Sequence, residues 1–456
     1  MTVRHRAITM AAATLSTTLL CGGAARGDCP ELVSGLQLSA VAEQTDAFQL
    51  ADAAPDAALA PPPITVADKA QTKTASRYRL LPVLLGLRGS NDWTQPFVEG
   101  IDRQYDSYLA FKKSISDQYN FDFFIDFSLF AQFGSSGHPV WAAVYYPGFS
   151  WRPFTDTTIG SGEINFTTGF QNYFGHNTVQ QATELGLISL ANDWTTDNFT
   201  WSTLTYTHTL PGSLNWLSIG GGSYNLFSFD PSLYAANAQT TFISFSFAQD
   251  ATQTFPNAGV GGYVKAKPND QFLIAGGVQN ATNLRGNGLN TYGYDTDRLL
   301  GWGNLQWTPK ITGLGDGIYS LLIYDQPAVP VLTSQSTGVS FSASQELADE
   351  KWGVWARINN ATGSQIPIRS SYDAGAAVND PFVRNPSDQI GFGLGWNKTN
   401  YQNTGGGVRG GEWVNEIYYR YQVVKAMSLT PDVQVFWNGV LVQFRSGRGL
   451  HDPHDD

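Results

Sequence analysis

Beyond its N-terminus the 456-residue chain has no apolar run approaching the roughly 18 residues that a membrane-crossing helix needs, which excludes a helical membrane protein. Cysteine is nearly absent, with 2 in the whole chain. Cys21 follows Leu20, where lipidation wants a small residue, and once a leader is removed Cys29 is the sole thiol, so no internal disulfide forms. Charge is sparse at 14%, and Lys+Arg 27 against Asp+Glu 38 leaves a net −11. Such a balance offers no basic face for nucleic acid. No G-x-S-x-G occurs, and His138, His176 and His208 stand without a nucleophile motif, so neither an enzyme nor a cofactor is expected. No pair of acids can be singled out for glycoside hydrolysis, because carboxylates recur on many alternating strands. Tandem repeats are also missing, which argues against a propeller or solenoid.

What the chain does have is glycine (47 residues) and aromatic side chains (13%), spread evenly along it. Residues 1–27 read as a secretory signal: Arg4, His5 and Arg6, then the apolar Ala7 to Leu20, then Ala25-Arg26-Gly27 as a small-x-small cleavage site. Removing it takes out three arginines and no acid, moving the net charge from −11 to −14. Residues 28–89, rich in Ala, Gln, Asp and Pro, form a low-complexity periplasmic extension. One helix follows over 90–118, with Phe97, Ile101, Tyr105, Tyr108, Lys112 and Ile115 three or four apart, placed against or inside a barrel.

From Asn120 the period changes from 3.6 to 2. Phe121, Phe123, Ile125, Phe127, Leu129 and Ala131 share one face; Asp122, Phe124, Asp126, Ser128, Phe130 and Gln132 share the other. Similar runs recur at 163–173, 198–208, 215–227, 271–279, 298–307, 317–325, 338–345, 351–359 and 389–397. In the last of these Gly391, Gly393 and Gly395 alternate with bulky residues, which leaves packing room for an inserted loop or the helix. Short turns such as Lys267 to Asp270 and Asp349-Glu350 alternate with long polar stretches such as 362–388 and 397–411. The fold class is all-β: a transmembrane antiparallel barrel of about 16 strands over 119–444, with the N-terminal extension, one short helix and a polar tail at 445–456.

Glu412 to Trp437 is the longest alternation. Trp413, Asn415, Ile417, Tyr419 and Tyr421 face one way; Glu412, Val414, Glu416, Tyr418, Arg420 and Gln422 face the other, and Pro431-Asp432 marks a turn. Candidate pore-lining or substrate-binding residues on the inward faces are Asp122, Asp126, Glu163, Arg357, Glu412, Glu416 and Arg420, the alternative role being salt-bridged wall residues that hydrate a lumen. Trp216, Trp302, Trp355 and Trp413 are expected in the interfacial girdles.

Glu412, Glu416, Tyr419, Leu429, Pro431-Asp432 and Gln434 together resemble the C-terminal pattern of the OprB-type carbohydrate-selective porins. Gly353-Val354-Trp355-Ala356-Arg357, the run Asp388-Gln389-Ile390-Gly391-Phe392-Gly393, and the stretch 214–256 are similar to further parts of that family. The resemblance implies a sixteen-stranded barrel in the outer membrane of a Gram-negative bacterium, set in lipid by the barrel-assembly machinery. It implies passive diffusion of mono- or oligosaccharides, no metal and no cofactor. Export of an extracellular polysaccharide is the alternative. A homotrimer is an arrangement common among general porins, though no residue pattern marks a trimer face. The chain departs from the family at its end, where Val440, Val442 and Phe444 lead into a polar tail rather than a terminal aromatic, as an extension or an altered reading frame would.

Overall fold

The computed structural model describes residues 7–17 and 94–437, except 157, 195–198, 287–297, 330–333, 349, 364–365 and 401–409; residues 7–17 and 94–98 are described by their backbone alone. The remainder of the leader, the 28–89 extension, Val440 to Phe444 and the polar tail lie outside the described residues. A helix, α1 (Thr94–Tyr119), leads into the first of fifteen long strands between Phe121 and Trp437. These are β2 (Phe121–Gly134), β3 (Val140–Asp156), β4 (Gly160–Tyr173), β5 (Phe199–Thr209), β6 (Leu217–Tyr224), β7 (Gly259–Asn269), β8 (Phe272–Asn280) and β9 (Leu299–Trp307). They continue as β11 (Gly315–Gln326), β12 (Ser336–Leu347), β13 (Trp352–Ala361), β14 (Ile368–Asn379), β15 (Gln389–Thr399), β16 (Gly411–Val424) and β17 (Met427–Trp437), while β10 (Lys310–Ile311) only bridges a turn. Each pairs antiparallel with its neighbour.

An odd number of antiparallel strands leaves the first and last pointing the same way, so the ring needs one more strand between β2 and β17. In the structure β1 (Ala7–Thr17), which lies inside the stretch read from sequence as a secretory signal, takes that place as a barrel strand, antiparallel to both, with Ala7 opposite Trp437 and Met10 opposite Gly134. The result is a closed, sixteen-stranded antiparallel sheet with no free edge.

Burial along the strands is inverted relative to a water-soluble protein. Leu305, Ile323, Phe341, Ile358, Phe392, Leu394, Ile417 and Val433 are exposed on the outer face. Their neighbours Asn304, Ser340, Ser342, Arg357, Glu416 and Gln434 are buried on the inner one. Water would oppose such an arrangement at roughly 25 cal/mol per Å² of apolar surface; a lipid belt removes that cost. Aromatic rings mark both rims of the belt. Tyr372, Trp396 and Trp413 follow one another across adjacent strands at the loop end, with ring centroids 5.9 and 6.4 Å apart. Phe272, Trp307 and Tyr319 do the same at the turn end, 6.2 and 5.2 Å apart. The strand ends Asp156 and Gly160, Asn269 and Phe272, Leu347 and Trp352, and Val424 and Met427, each pair close in sequence, sit at the second rim; Tyr173 and Phe199, Tyr224 and Gly259, Asn280 and Leu299, and Thr399 and Gly411, further apart in sequence, sit at the first. Short turns face the periplasm in such barrels, which orients the molecule.

Three strands lack the expected alternation. β3 carries Pro147 and Pro153, β7 is built on Gly259, Gly261 and Gly262, and β14 is an Arg-Ser-Ser-Tyr-Asp-Ala-Gly-Ala-Ala run within the stretch 362–388 expected as loop. Small residues weaken the periodic signal, and closure of the ladder on both sides overrides low propensity. Pro431-Asp432 is not a turn: β17 runs through it, and the hairpin bends at Lys425-Ala426.

Helix α1 docks across the periplasmic end of that hairpin. Tyr105 is buried, and Ile101, Tyr108 and Leu109 pack with Val423, Val424, Ala426 and Met427. Lys112, the polar member of the stripe, sits 5.9 and 5.8 Å above the rings of Tyr108 and Phe123, a cation–π position. The backbone N–H of Lys425 donates to Asp102 at 2.8 Å, and its Nζ reaches Asp106 at 2.7 Å.

A chain lacking both 1–27 and 438–456 has no strand for the seam. It is expected to lose the heat-modifiable band of a closed barrel on a gel; retention of that band would refute the parity argument. A second outcome concerns Asp102, whose carboxyl is raised from its ordinary value by burial, against the opposing hydrogen bond from Lys425. With the folded value raised, its contribution to helix docking is complete below the ordinary carboxylate range and is lost as pH rises through the folded value. Asp102→Asn, which keeps the acceptor, should flatten the pH dependence of hydrogen-exchange protection in α1 as pH rises above the ordinary carboxylate range.

Candidate functional site: a lumen narrowed by two inward loops

The inner face of β16 presents Glu412, Glu416 and Arg420 in register, two pleats apart. Each is occupied by the main chain of a loop. Glu412 accepts the N–H groups of Ile188 and Ser189, both at 2.9 Å, and the Ser189 hydroxyl at 2.5 Å. Glu416 accepts those of Ile243 and Ser244 at 2.6 and 3.0 Å. Arg420 donates to the carbonyls of Ser387 and Thr240 at 3.1 and 3.3 Å. On β13, Arg357 is 1% exposed and donates to the Phe247 carbonyl at 2.9 Å, with its Nε 3.5 Å from Asp230. Two external loops, described over 174–194 and 225–258, therefore fold into the barrel and hang from these four charged side chains.

The wall fits the loops by shape as well. Side chains on Gly393 would meet Phe247 and Phe242 at 2.9 and 3.0 Å, and on Gly395 Phe247 at 2.7 Å. The glycine row of β15 is the recess into which these rings enter, and the loop, rather than the helix, fills it. Trp355 closes on the same rings, with centroids 5.0 and 5.5 Å away. Trp302 lies 4.3 Å from Phe229 and donates its indole N–H to the Tyr224 hydroxyl at 3.1 Å. Trp302 and Trp355 thus face the lumen rather than the interfacial girdles, while Trp216 and Trp413 are outward and exposed. Further along, Phe229 O accepts from Asn304 at 2.7 Å and Ser320 at 3.0 Å, which lays the second loop against β9 and β11.

The remaining candidates lie on strands beyond the seam. Asp122, half-buried, and Asp126, buried, are on the inner face of β2, the former near the periplasmic rim. Glu163 on β4 accepts from Asn165 at 2.7 Å and Ser150 at 3.2 Å. Across the three strand spacings from β4 to β7, roughly 14 Å of wall, stands Lys265, its Nζ 5.1 Å from the Tyr263 ring and 5.5 Å from that of Phe229. Thr207 and Ser218, both half-buried, lie between them on the inner face. Inspection of the sequence missed Lys265, although its alternation with Tyr263 and Gly261 carried the signal. It also missed Asp388, which fastens the 380–388 turn to β16: its Oδ1 accepts the Gln422 N–H at 2.8 Å and its Oδ2 accepts from Arg384 at 2.7 Å.

Removing one acceptor of two buried N–H groups costs about 1–3 kcal/mol for each group left unpaired. Glu416→Ala is expected to release the 225–258 loop and raise single-channel conductance in planar bilayers. An unchanged conductance would show that the packed rings alone hold the loop.

Comparison with known proteins agrees with this architecture. A solved high-pH structure of Pseudomonas putida OprB superposes with a TM-score of 0.55 at 14% identity, over 72% of this chain and 96% of that one, a likeness of fold. Porin AaxA of Chlamydia abortus is 31% identical over 349 residues, 74% of this chain and 77% of that porin. Porin AaxA of Chlamydia pneumoniae is 29% identical over 381 residues, 82% of this chain and 85% of that porin. Residues 162–439 match the family described as carbohydrate-selective porin, OprB family. With its closed lipid-belted wall and loop-narrowed polar lumen, the chain belongs to the OprB family and is an outer-membrane porin of a Gram-negative bacterium, a channel rather than an enzyme.

Proposed function

We propose that the lumen passes carbohydrates and other small neutral solutes by passive diffusion. The observation that carries this reading is the composition of a half-buried strip of the inner wall. Glu163, Asn165, Thr207, Ser218 and Lys265 offer both donors and acceptors on the inner face of β4–β7. Behind them the buried rings of Tyr263 and Phe229 pack edge to face, with Lys265 over both. A sugar exposes hydroxyls around its edge and C–H groups on its faces, so hydrogen-bonding groups next to aromatic rings can replace its water without binding it too tightly to leave. Acids on β2 and β4 facing a lysine on β7 set a field across the strip, which orders water and disfavours solutes of high net charge.

Export of a long polysaccharide fits less well. Phe242, Phe247, Trp355 and Tyr418 form one packed, buried cluster in the lumen, and a polymer would have to displace it.

In planar bilayers the ionic current should fall in a saturable manner on adding a permeant mono- or disaccharide, and Lys265→Ala should change the concentration giving half-blockade by several-fold. Currents unaffected by a broad sugar panel would overturn the carbohydrate reading and leave the porin assignment standing.

A further inference from the structure

We propose that His138, His176 and Glu184 form a transition-metal site of the zinc class at the extracellular mouth, tying the β2–β3 connection to the first inward loop. They are, among the described residues, a group of three metal-ligating side chains whose ligand atoms all lie within 4.8 Å of one another. The three come from separate segments. His138 is in the 135–139 connection, His176 follows β4, and Glu184 is on α2 (Thr178–Leu185).

Backbone features converge on this placement. Each histidine follows a glycine in the left-handed region, Gly137 at φ +79 and Gly175 at φ +105. A side chain on Gly137 would meet Glu184 Oε2 at 2.5 Å and Glu184 Cβ at 3.2 Å, so glycine permits the close approach of turn and helix. A parallel bridge pairs Val140 with His176, and Phe174 N–H donates to Trp141 O at 2.8 Å, which aligns the two loops. Asn177 and Gln180 form a reciprocal capping box at the start of α2, so Glu184 is held in position relative to His176.

The donor set suits a divalent borderline ion. Glu184 Oε2 is engaged by the His138 N–H at 2.8 Å, leaving Oε1 shared by the two Nδ1 atoms at 2.9 and 3.1 Å. The imidazole centroids are 4.1 Å apart at 32°. Tetrahedral bonds of about 2.0–2.1 Å place ligand atoms roughly 3.3 Å apart, close to the 2.9 and 3.1 Å from Oε1 to the two Nδ1 atoms. Two imidazoles and one carboxylate leave a fourth position for water. The His138 N–H and then its imidazole hold the Glu184 carboxyl below its ordinary value, keeping it charged. His138 is exposed and His176 half-exposed, so an ion can enter from outside the cell. The link reaches the pore because α2 runs directly into Ile188 and Ser189, whose N–H groups bind Glu412 in the lumen.

The test is calorimetric titration of the folded full chain with Zn²⁺, in a His451→Ala/His454→Ala background that removes the histidines of the polar tail. One equivalent should bind, His138→Ala and His176→Ala should each weaken binding at least tenfold, and His208→Ala should leave it unchanged. Co²⁺ in place of Zn²⁺ should give the visible absorption of a tetrahedral site, absent in the His138→Ala/His176→Ala protein. Heat-modifiable migration verifies that every variant is folded. Absence of binding, or binding unaffected in the folded double variant, would overturn the proposal and leave the cluster as a hydrogen-bonded clasp.

Discussion

Two loops enter a region where main-chain N–H groups have little access to water, and each must find an acceptor there. Glu412 and Glu416 meet that requirement, each taking two consecutive backbone N–H groups from a different loop. Arg357 and Arg420 perform the converse service for carbonyls. The cost of an unpaired buried peptide group, about 1–3 kcal/mol, explains why an apolar lining could not substitute. Irregular backbone at membrane depth persists only where protein partners satisfy it.

These anchors are reinforced by shape. Rings from the second loop occupy the space that Gly393 and Gly395 leave on β15, with Trp355 and Tyr418 packed around them. A second cluster, with Phe229, Phe255, Trp302 and Tyr324, holds the other arm of the same loop. Hydrogen bonds set where the loop attaches, while ring packing against small residues sets how deep it sits. Loops held on both counts move as part of the wall, so the cross-section open to solute is a property of the folded barrel.

The division of the lumen follows from this. Glu412, Glu416, Arg357 and Arg420 on β13 and β16 bind loop main chain, and Gln132 and Ser128 on β2 hold the same two loops from beyond the seam. The strip of β4–β7 with Glu163, Thr207, Ser218 and Lys265 keeps half-buried polar groups for solute and water. At the periplasmic end α1 rests on the last hairpin without entering the barrel. At the outer end the His138–Glu184 cluster lies where two loops meet.

Alternation with period two, the glycine and aromatic load, and the absence of a long apolar run were enough to establish an outer-membrane barrel and to separate its two faces. Asp122, Asp126, Glu163, Arg357, Glu412, Glu416 and Arg420 all lie on the inner face that the pattern assigned to them. Tertiary structure decided what each inward residue meets. Alternation specifies the side of the wall, and a charge pointing inward reads the same whether it faces water or a folded-in loop. Trp302 and Trp355 show the same limit, since a tryptophan suits a lipid interface and a packed loop equally well until the loop is placed. Strand β14 and the run through Pro431 went unread for a related reason: ladder hydrogen bonds from both neighbours impose strand geometry on small residues and on proline, and such bonds exist only once the flanking strands are paired.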